Sequence, residues 1–267
     1  MSTGVIQIAS LTAFANAFLQ GHSICFDMDH SLAEICHSIT FIESALGDSN
    51  DDYVELAKNP NEWFQYLKKQ RVERVKLHYV SSFHEEIPDR IGAAFVGGGG
   101  RWLMEAFHGD CSDLWESGWT TTRGARPWKV YYLIVARDWD QLAGSYLSLR
   151  GARRRLSSAL IKVESFAREQ KENYWADRFH KALETLDAAS PLEDNDFLPK
   201  GCFSLESEQL FAAGLRSWVF GGMGSWNDLF FGGKKEDQYV QFSNELYEAV
   251  CQSLVVAINS YPSSRKE

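Results

Sequence analysis

Three side chains that can take part in proton transfer or metal binding lie close together in the sequence. His108, Asp110 and Asp113 stand in the segment HGDCSD, directly after an apolar run that is typical of a strand. An imidazole and two carboxylates at this spacing can ligate a divalent metal, or can form a general base with the carboxylate that orients it. The same residues are frequent in solvated turns. We expect such a turn here, with no metal, no other cofactor and no catalytic residue, and keep a small metal-dependent hydrolase as the alternative.

Four consecutive glycines, residues 97–100, separate two apolar, strand-like runs. A dinucleotide-binding loop needs Gly-x-Gly-x-x-Gly followed by a helix, but Trp102 takes the place of the last glycine and a strand-like run follows. The run also lacks the Lys-Ser pair of a phosphate-binding P-loop. It therefore predicts a hairpin tip that needs glycine conformations, or a surface where a partner's backbone approaches Gly98 and Gly99 closely.

A second glycine-rich segment, FGGMGSWNDLFF, occupies residues 220–231. A nucleophilic serine on a strand-to-helix turn needs Gly-x-Ser-x-Gly, and Ser225 is instead followed by Trp226 and Asn227. Two glycines after a helix are typical of a left-handed C-cap, and the polar residues that follow can hydrogen-bond the turn. The alternative is that Trp226, Asn227 and Asp228 are exposed as a contact patch for a partner.

Two charged clusters have a plain interpretation and a functional one. The arginines of SLRGARRRLSS are expected to form a solvated helix face that pairs with neighbouring acidic helices, rather than a nucleic-acid patch. The acidic loop at 190–201 is either solvated or inserts towards a basic cleft of a partner. These clusters contain Arg150, Arg153, Arg154 and Arg155, and Glu193, Asp194 and Asp196.

The elements that must position these groups follow from the hydrophobic periodicity. Apolar residues at spacings of three and four predict a helix over 31–47, whereas the period of two in RVERVKLHYV begins a series of five strand candidates with short connections. Helical spacing resumes from Trp139 to the end. The sequence thus predicts an α+β fold, with an antiparallel meander sheet flanked by helices at 1–138 and a helical unit packed against it at 139–267.

Composition limits the classes of function. A net charge of −9 in 267 residues argues against direct nucleic-acid binding and suits a basic protein partner. Five scattered cysteines without a Cys-x-x-Cys pair suggest reduced thiols in a cytoplasmic protein. The N-terminal segment lacks the basic region of a secretory signal, and no apolar run is long enough to predict a membrane span.

Two stretches resemble known bacterial proteins. IPDRIGAAFVGGGGRWLMEA, with DLWESGW downstream, resembles the glycine-rich strand segment of immunity proteins from polymorphic toxin systems, in the α+β family usually paired with toxins of restriction-endonuclease-like fold. YWADRFHKAL and WVFGGMGSWNDL resemble a helical module of small bacterial proteins with the same Gly-Gly-Met-Gly-Ser turn. The resemblances span residues 72–135 and 155–232.

The resemblance implies a non-enzymatic immunity protein that binds and neutralises a cognate toxin, a nuclease effector of a type VI secretion system. The expected partner is a DNase with a basic cleft. An adaptor or chaperone for a secreted effector is the further alternative. The expected toxin contacts combine the glycine run, tryptophans as interface anchors and carboxylates that meet a basic cleft. They are Gly98, Gly99, Arg101, Trp102, Asp110, Asp113, Trp115, Trp119, Trp226, Asn227, Asp228, Glu193, Asp194 and Asp196.

Overall fold

The computed structural model describes residues 3–26, 36–45, 53–82, 87–95, 98–120, 128–140, 147–192 and 196–262. The strands are β1 (Cys36–Ser44), β2 (Tyr53–Ala57), β3 (Arg74–Val80), β4 (Arg101–His108), β5 (Cys111–Thr120) and β6 (Trp128–Asp140). The helices are α1 (Thr3–Leu19), α2 (Pro60–Lys69), α3 (Asp89–Gly92), α4 (Leu149–Glu169), α5 (Asn173–Thr185), α6 (Leu205–Arg216) and α7 (Gly233–Asn259), with a 3₁₀ turn at Trp226–Asp228.

The six strands form one sheet in the order β2-β1-β6-β5-β4-β3. Strands β3 to β6 are an antiparallel meander, as their alternating pattern predicts. The expectation of a purely antiparallel sheet is wrong, because β1 lies parallel to β6. A parallel pair needs a long crossover, and no local sequence pattern reveals which distant strand completes it. The fold is therefore α+β with a mixed sheet flanked by helices.

The helix predicted at 31–47 is also wrong where the structure describes it, since residues 36–44 form β1. Ile39 and Phe41 are buried and stand opposite Val130 and Tyr132 of β6. Ile35, Ile39 and Ile42 have a helical spacing, whereas Ile39 and Phe41 have the spacing of two that is typical of a strand, and the β-branched run around Thr40 favours the strand. Pairing with β6 settles the ambiguity, while residues 31–35 and 46–47 lie outside the described residues.

Local capping signals fix three of the helix starts. Asn59 accepts a hydrogen bond from the backbone of Glu62 at the start of α2, and Ser148 and Ser204 cap α4 and α6 in the same way. The helices after β6 confirm the helical periodicity of that part of the sequence. Trp139, however, belongs to β6 rather than to a helix. No helix in the described residues has the length and apolarity that crossing a bilayer demands.

The hydrophobic core is continuous across the predicted unit boundary. It contains Leu77 and Trp115 of the sheet together with Leu156 and Leu254 of the later helices. Helix α7 contacts β3 and α1, and residue 139 falls inside β6. The division at residue 138 stays a prediction, but side chains from both sides of it share one core.

The β3 edge of the sheet is closed by two asparagine side chains. Asn16 of α1 donates to the carbonyl of Val75 and accepts from its N–H, both at 2.8 Å. Asn259 of α7 makes the same pair of bonds with Leu77, again at 2.8 Å. Each amide thus takes the place of a neighbouring strand and satisfies edge groups that would otherwise be unpaired. The four bonds also fix α1 and α7 against the sheet.

Candidate functional site

The two glycine-rich segments that suggested a binding function meet in the folded chain. Arg90 of α3 donates from Nη1 to Oδ1 of Asn227 at 3.0 Å, and Nδ2 of Asn227 donates to the Arg90 carbonyl at 2.8 Å. Arg90 also donates to Asn244 of α7 at 2.7 Å. Helix α3 leads into the glycine run, so these bonds join that run, the 3₁₀ turn and α7 into one surface region.

The glycine run is required by packing within the chain itself. A Cβ at Gly98 would lie 2.1 Å from the carbonyl oxygen of Gly92, and one at Gly100 would lie 2.5 Å from the ring of Tyr79. Gly99 has a φ of +88°, and its carbonyl accepts from the Tyr247 hydroxyl at 2.5 Å. The backbone that approaches Gly98 and Gly99 closely is therefore the chain's own, and a partner's backbone cannot take that place.

The hairpin predicted around this run is wrong. The segment expected to be its first strand, IGAAFV, contains the end of α3 and a turn instead. The small residues of this segment let α3 approach the glycines, which an extended strand would prevent. Gly97 lies outside the described residues.

The turn after α6 is fixed by its own polar side chains. The Ser225 hydroxyl accepts from the Asn227 N–H, and the Asp228 carboxylate accepts from the Ser225 N–H at 3.1 Å, which forms a capping box. Hydrogen bonding of the turn by these residues is thus confirmed. The expected glycine C-cap is wrong, because α6 ends at Arg216 with Ser217 as its cap, and the left-handed glycine of the turn is Gly224.

Trp226 is not the exposed contact that the sequence suggested. It is fully buried, and its indole N–H donates to the hydroxyl of Ser243 at 2.7 Å. The ring packs edge-on against Phe179 and is tilted against Tyr239. A tryptophan in a polar loop is buried here because it anchors the turn between α5 and α7.

The exposed apolar side chains of the turn are Met223 and Phe230, which the sequence analysis did not select. Met223 is fully exposed and Phe230 is 80% exposed. The position of Met223 between two pairs of small residues, Gly221-Gly222 and Gly224-Ser225, was a usable signal, since no neighbouring side chain can cover it. The turn therefore presents apolar groups on a backbone that is held from within.

The tryptophans of the sheet also serve the core rather than a contact surface. Trp102 and Trp115 are buried, because they lie on the face of β4 and β5 that the helices cover. Trp119 is half-buried and packs on Gly4 of α1. Arg101 is exposed, but its guanidinium is paired with Glu116 at 2.6 Å. Trp102 and Trp115 are therefore not exposed anchors in the folded chain, and a part in toxin binding stays a prediction for them.

The histidine–carboxylate cluster differs from the predicted one. Asp110 is exposed in the β4–β5 turn, and the third member is Asp138, so that the ligand atoms of His108, Asp113 and Asp138 lie within 4.8 Å of one another. His108 Nε2 lies 3.3 Å from Asp113 Oδ1. A divalent metal held by one imidazole and two carboxylates is chemically possible at this position.

An arginine already compensates this cluster. Arg137 Nη1 lies 2.9 Å from Asp113 Oδ2, and its other nitrogens bind Glu43 and the hydroxyl of Tyr66. The bond to Glu43 raises the pKa of Arg137, and the same guanidinium lowers the pKa of Glu43. The charge that a metal would supply to Asp113 thus comes from the chain, and the cluster fits a structural ion-pair network.

The remaining charged candidates lie in the acidic loop and in the arginine cluster of α4. Glu193 and Asp194 lie outside the described residues, and Asp196 is half-buried. The pairing predicted for the arginine cluster is confirmed for Arg153, which binds Asp187 at 2.7 Å, and for Arg155, which binds Glu248 at 2.6 Å. These bonds hold α4 against its neighbours.

No protein-family model, curated protein or solved structure matches this chain.

Proposed function

We propose that this chain is a non-enzymatic immunity protein that binds and neutralises an antibacterial toxin, a nuclease effector of a type VI secretion system. We further propose that residues 221–232, here called the glycine turn, anchor the complex. The observation that carries this proposal is the exposure of Met223 and Phe230 on a turn fixed by the capping box. It rests also on the sequence resemblance to immunity proteins.

The energetics of the glycine turn favour a binding role. Exposed Met and Phe side chains forfeit the stabilisation of burial, and each regains about 1.5–3 kcal/mol when a partner covers it completely. Because Trp226 and the Arg90–Asn227 bonds already hold the backbone, little conformational entropy is lost on binding. Phe and Met are both enriched at protein–protein interfaces relative to the rest of the surface.

The net charge supports the choice of a nuclease as partner. A nuclease cleft that holds phosphates is basic, so a protein of charge −9 is attracted to it over a range of about 8 Å at physiological salt. The charge speeds association and the apolar anchors slow dissociation. The metal-dependent hydrolase has weaker support, since Arg137 already compensates Asp113.

The proposal is tested by co-purification with the candidate toxin encoded by the neighbouring gene. Met223→Glu and Phe230→Glu place a charge at the proposed anchor, and we expect each to weaken the complex at least tenfold without lowering thermal stability. Ile161→Glu is the matched control, because Ile161 is an exposed apolar residue on α4, outside the glycine turn. Equal binding by all three variants would show that the glycine turn is not part of the interface. If the wild-type chain formed no complex with the candidate toxin, the proposed immunity function would be refuted.

A further inference from the structure

A cavity of about 360 Å³ lies between β3, α3 and α7, beside the Arg90–Asn227 bonds. Two tyrosine rings form its apolar wall, and amide, hydroxyl and guanidinium groups form its polar wall. The residues that matter for its chemistry are Tyr79, Ser81, Arg90, Asn244, Tyr247 and Gln252. The volume suits a small organic molecule.

Arg90 is the unusual group of this cavity. Its exposed fraction is 5%, and its guanidinium donates to the neutral amides of Asn227 and Asn244. The guanidinium also lies over the ring of Tyr239, at 5.6 Å from the centroid. Across the described part of the chain, no carboxylate oxygen lies within 4 Å of its nitrogens. A buried guanidinium without a carboxylate partner carries a large desolvation cost, which an anion relieves.

The two carboxylates that line the cavity have partners other than Arg90. Asp89 accepts from the hydroxyls of Tyr79 at 2.7 Å and Ser81 at 2.8 Å, and from the Ser82 N–H at 3.2 Å. Glu248 is paired with Arg155 at 2.6 Å. Among the described residues, Arg90 is therefore the cationic group of the cavity wall without a carboxylate in direct contact, and the charge of Glu236 acts on it only from a longer distance.

We propose that this cavity binds a small organic monocarboxylate, whose carboxylate contacts Arg90 and whose remaining polar groups meet Asn244, Gln252 and Ser81. A carboxylate matches the guanidinium in charge and can accept from the Nη hydrogens that Asn227 and Asn244 do not take. A second anionic group on the ligand would approach Asp89 and Glu248 and would be repelled by them. The tyrosine rings cover the carbon skeleton. This proposal does not rest on the proposed toxin binding, although Arg90 also bonds to Asn227 of the glycine turn.

The test uses the isolated chain and two nearly isosteric probes, L-lactate and L-lactamide, which differ in charge. Isothermal titration is expected to show lactate binding at least tenfold tighter than lactamide, and nuclear magnetic resonance is expected to show a shift of the Arg90 Nε–H signal with lactate alone. Equal affinity for the two probes, or no binding of lactate, would overturn the proposal.

Two substitutions test whether Arg90 is the group that binds the carboxylate. Arg90→Gln is expected to abolish the preference for lactate, whereas Arg154→Gln, which removes an exposed arginine of α4, keeps it. Because Arg90 also holds the glycine turn, the Nε–H signal of the wild-type chain decides the question if Arg90→Gln does not fold. A lactate preference that survives in folded Arg90→Gln would refute the assignment.

Discussion

Arg90 and Asn227 lie 137 residues apart in the chain and hydrogen-bond to each other in both directions. The guanidinium donates to the amide oxygen, and the amide nitrogen donates to the arginine carbonyl. This pair joins α3, which precedes the glycine run, to the 3₁₀ turn at Trp226–Asp228. The two segments that carry the resemblances therefore lie next to each other in the folded chain. Trp226 and α7 pack beneath them.

Replacing Asn227 by alanine tests whether this pair holds the glycine turn. The variant leaves the Arg90 carbonyl and guanidinium without these partners, so we expect a loss of about 1–3 kcal/mol in the free energy of unfolding. Urea denaturation measures the loss, and limited proteolysis shows whether the glycine turn becomes the new cleavage site. Lys235→Ala, at an exposed position of α7, is the control and should unfold like wild type. Equal stability of both variants would mean that the pair does not hold the turn.

The close packing of the glycine run predicts a difference between two glycine-to-alanine substitutions. Gly98→Ala places a Cβ against the Gly92 carbonyl, and the backbone must shift, at a cost of about 1–3 kcal/mol. Gly222→Ala meets open space, and its φ is outside the left-handed region, so the effect should stay within about 0.5 kcal/mol. Thermal unfolding of the two variants side by side measures this difference. If Gly98→Ala proved as stable as Gly222→Ala, the packing explanation of the run would be wrong.

The asparagine closure of the β3 edge predicts a local effect. Asn259→Ala removes both bonds to Leu77, and we expect a loss of about 1–3 kcal/mol with faster amide exchange at Leu77. Asn173→Ala, at the start of α5, is the control and should leave the exchange at Leu77 unchanged. Unaltered amide exchange at Leu77 in Asn259→Ala would show that water hydrogen-bonds the edge groups of Leu77 as well as Asn259 does.

Asp89 predicts a pH dependence of stability. Burial alone would raise the pKa of this carboxyl, but hydrogen bonds from Ser82, Tyr79 and Ser81 outweigh it and hold the pKa below its ordinary value. A carboxyl with a lowered folded-state pKa stabilises the fold above its unfolded pKa, and this contribution is lost as the pH falls through the folded pKa. We therefore expect the free energy of unfolding to fall more steeply below about pH 5 in wild type than in Asp89→Asn. Urea unfolding at several pH values measures both slopes, and parallel curves would contradict the assignment.

Much of the fold follows from local pattern. The alternation around Leu77 and the helical spacing after β6 each allow one interpretation, and the structure confirms both. The segment around Phe41 fits two periods, and its parallel pairing with β6 depends on residues about ninety positions away. The local sequence contains no information about such distant pairings, so the segment of β1 was predicted to be a helix.

The candidate site was predictable only in part. The turn-forming role of Ser225 and Asp228 is local, and the sequence indicated it. The burial of Trp226 and the bonds between Arg90 and Asn227 depend on tertiary packing. Tryptophan has a similar preference for cores and interfaces, so composition alone did not separate the buried rings from the exposed Met223.

The most direct test of the central proposal is a titration of the candidate toxin's nuclease activity with this chain. We predict that activity falls in proportion to added protein and reaches zero near one equivalent when the toxin concentration is well above the dissociation constant. At a toxin concentration below the dissociation constant, half inhibition by Met223→Glu should require at least tenfold more protein than half inhibition by the wild-type chain. A complex that forms and stays fully active would identify an adaptor instead. Undiminished activity without a complex would contradict the proposed function.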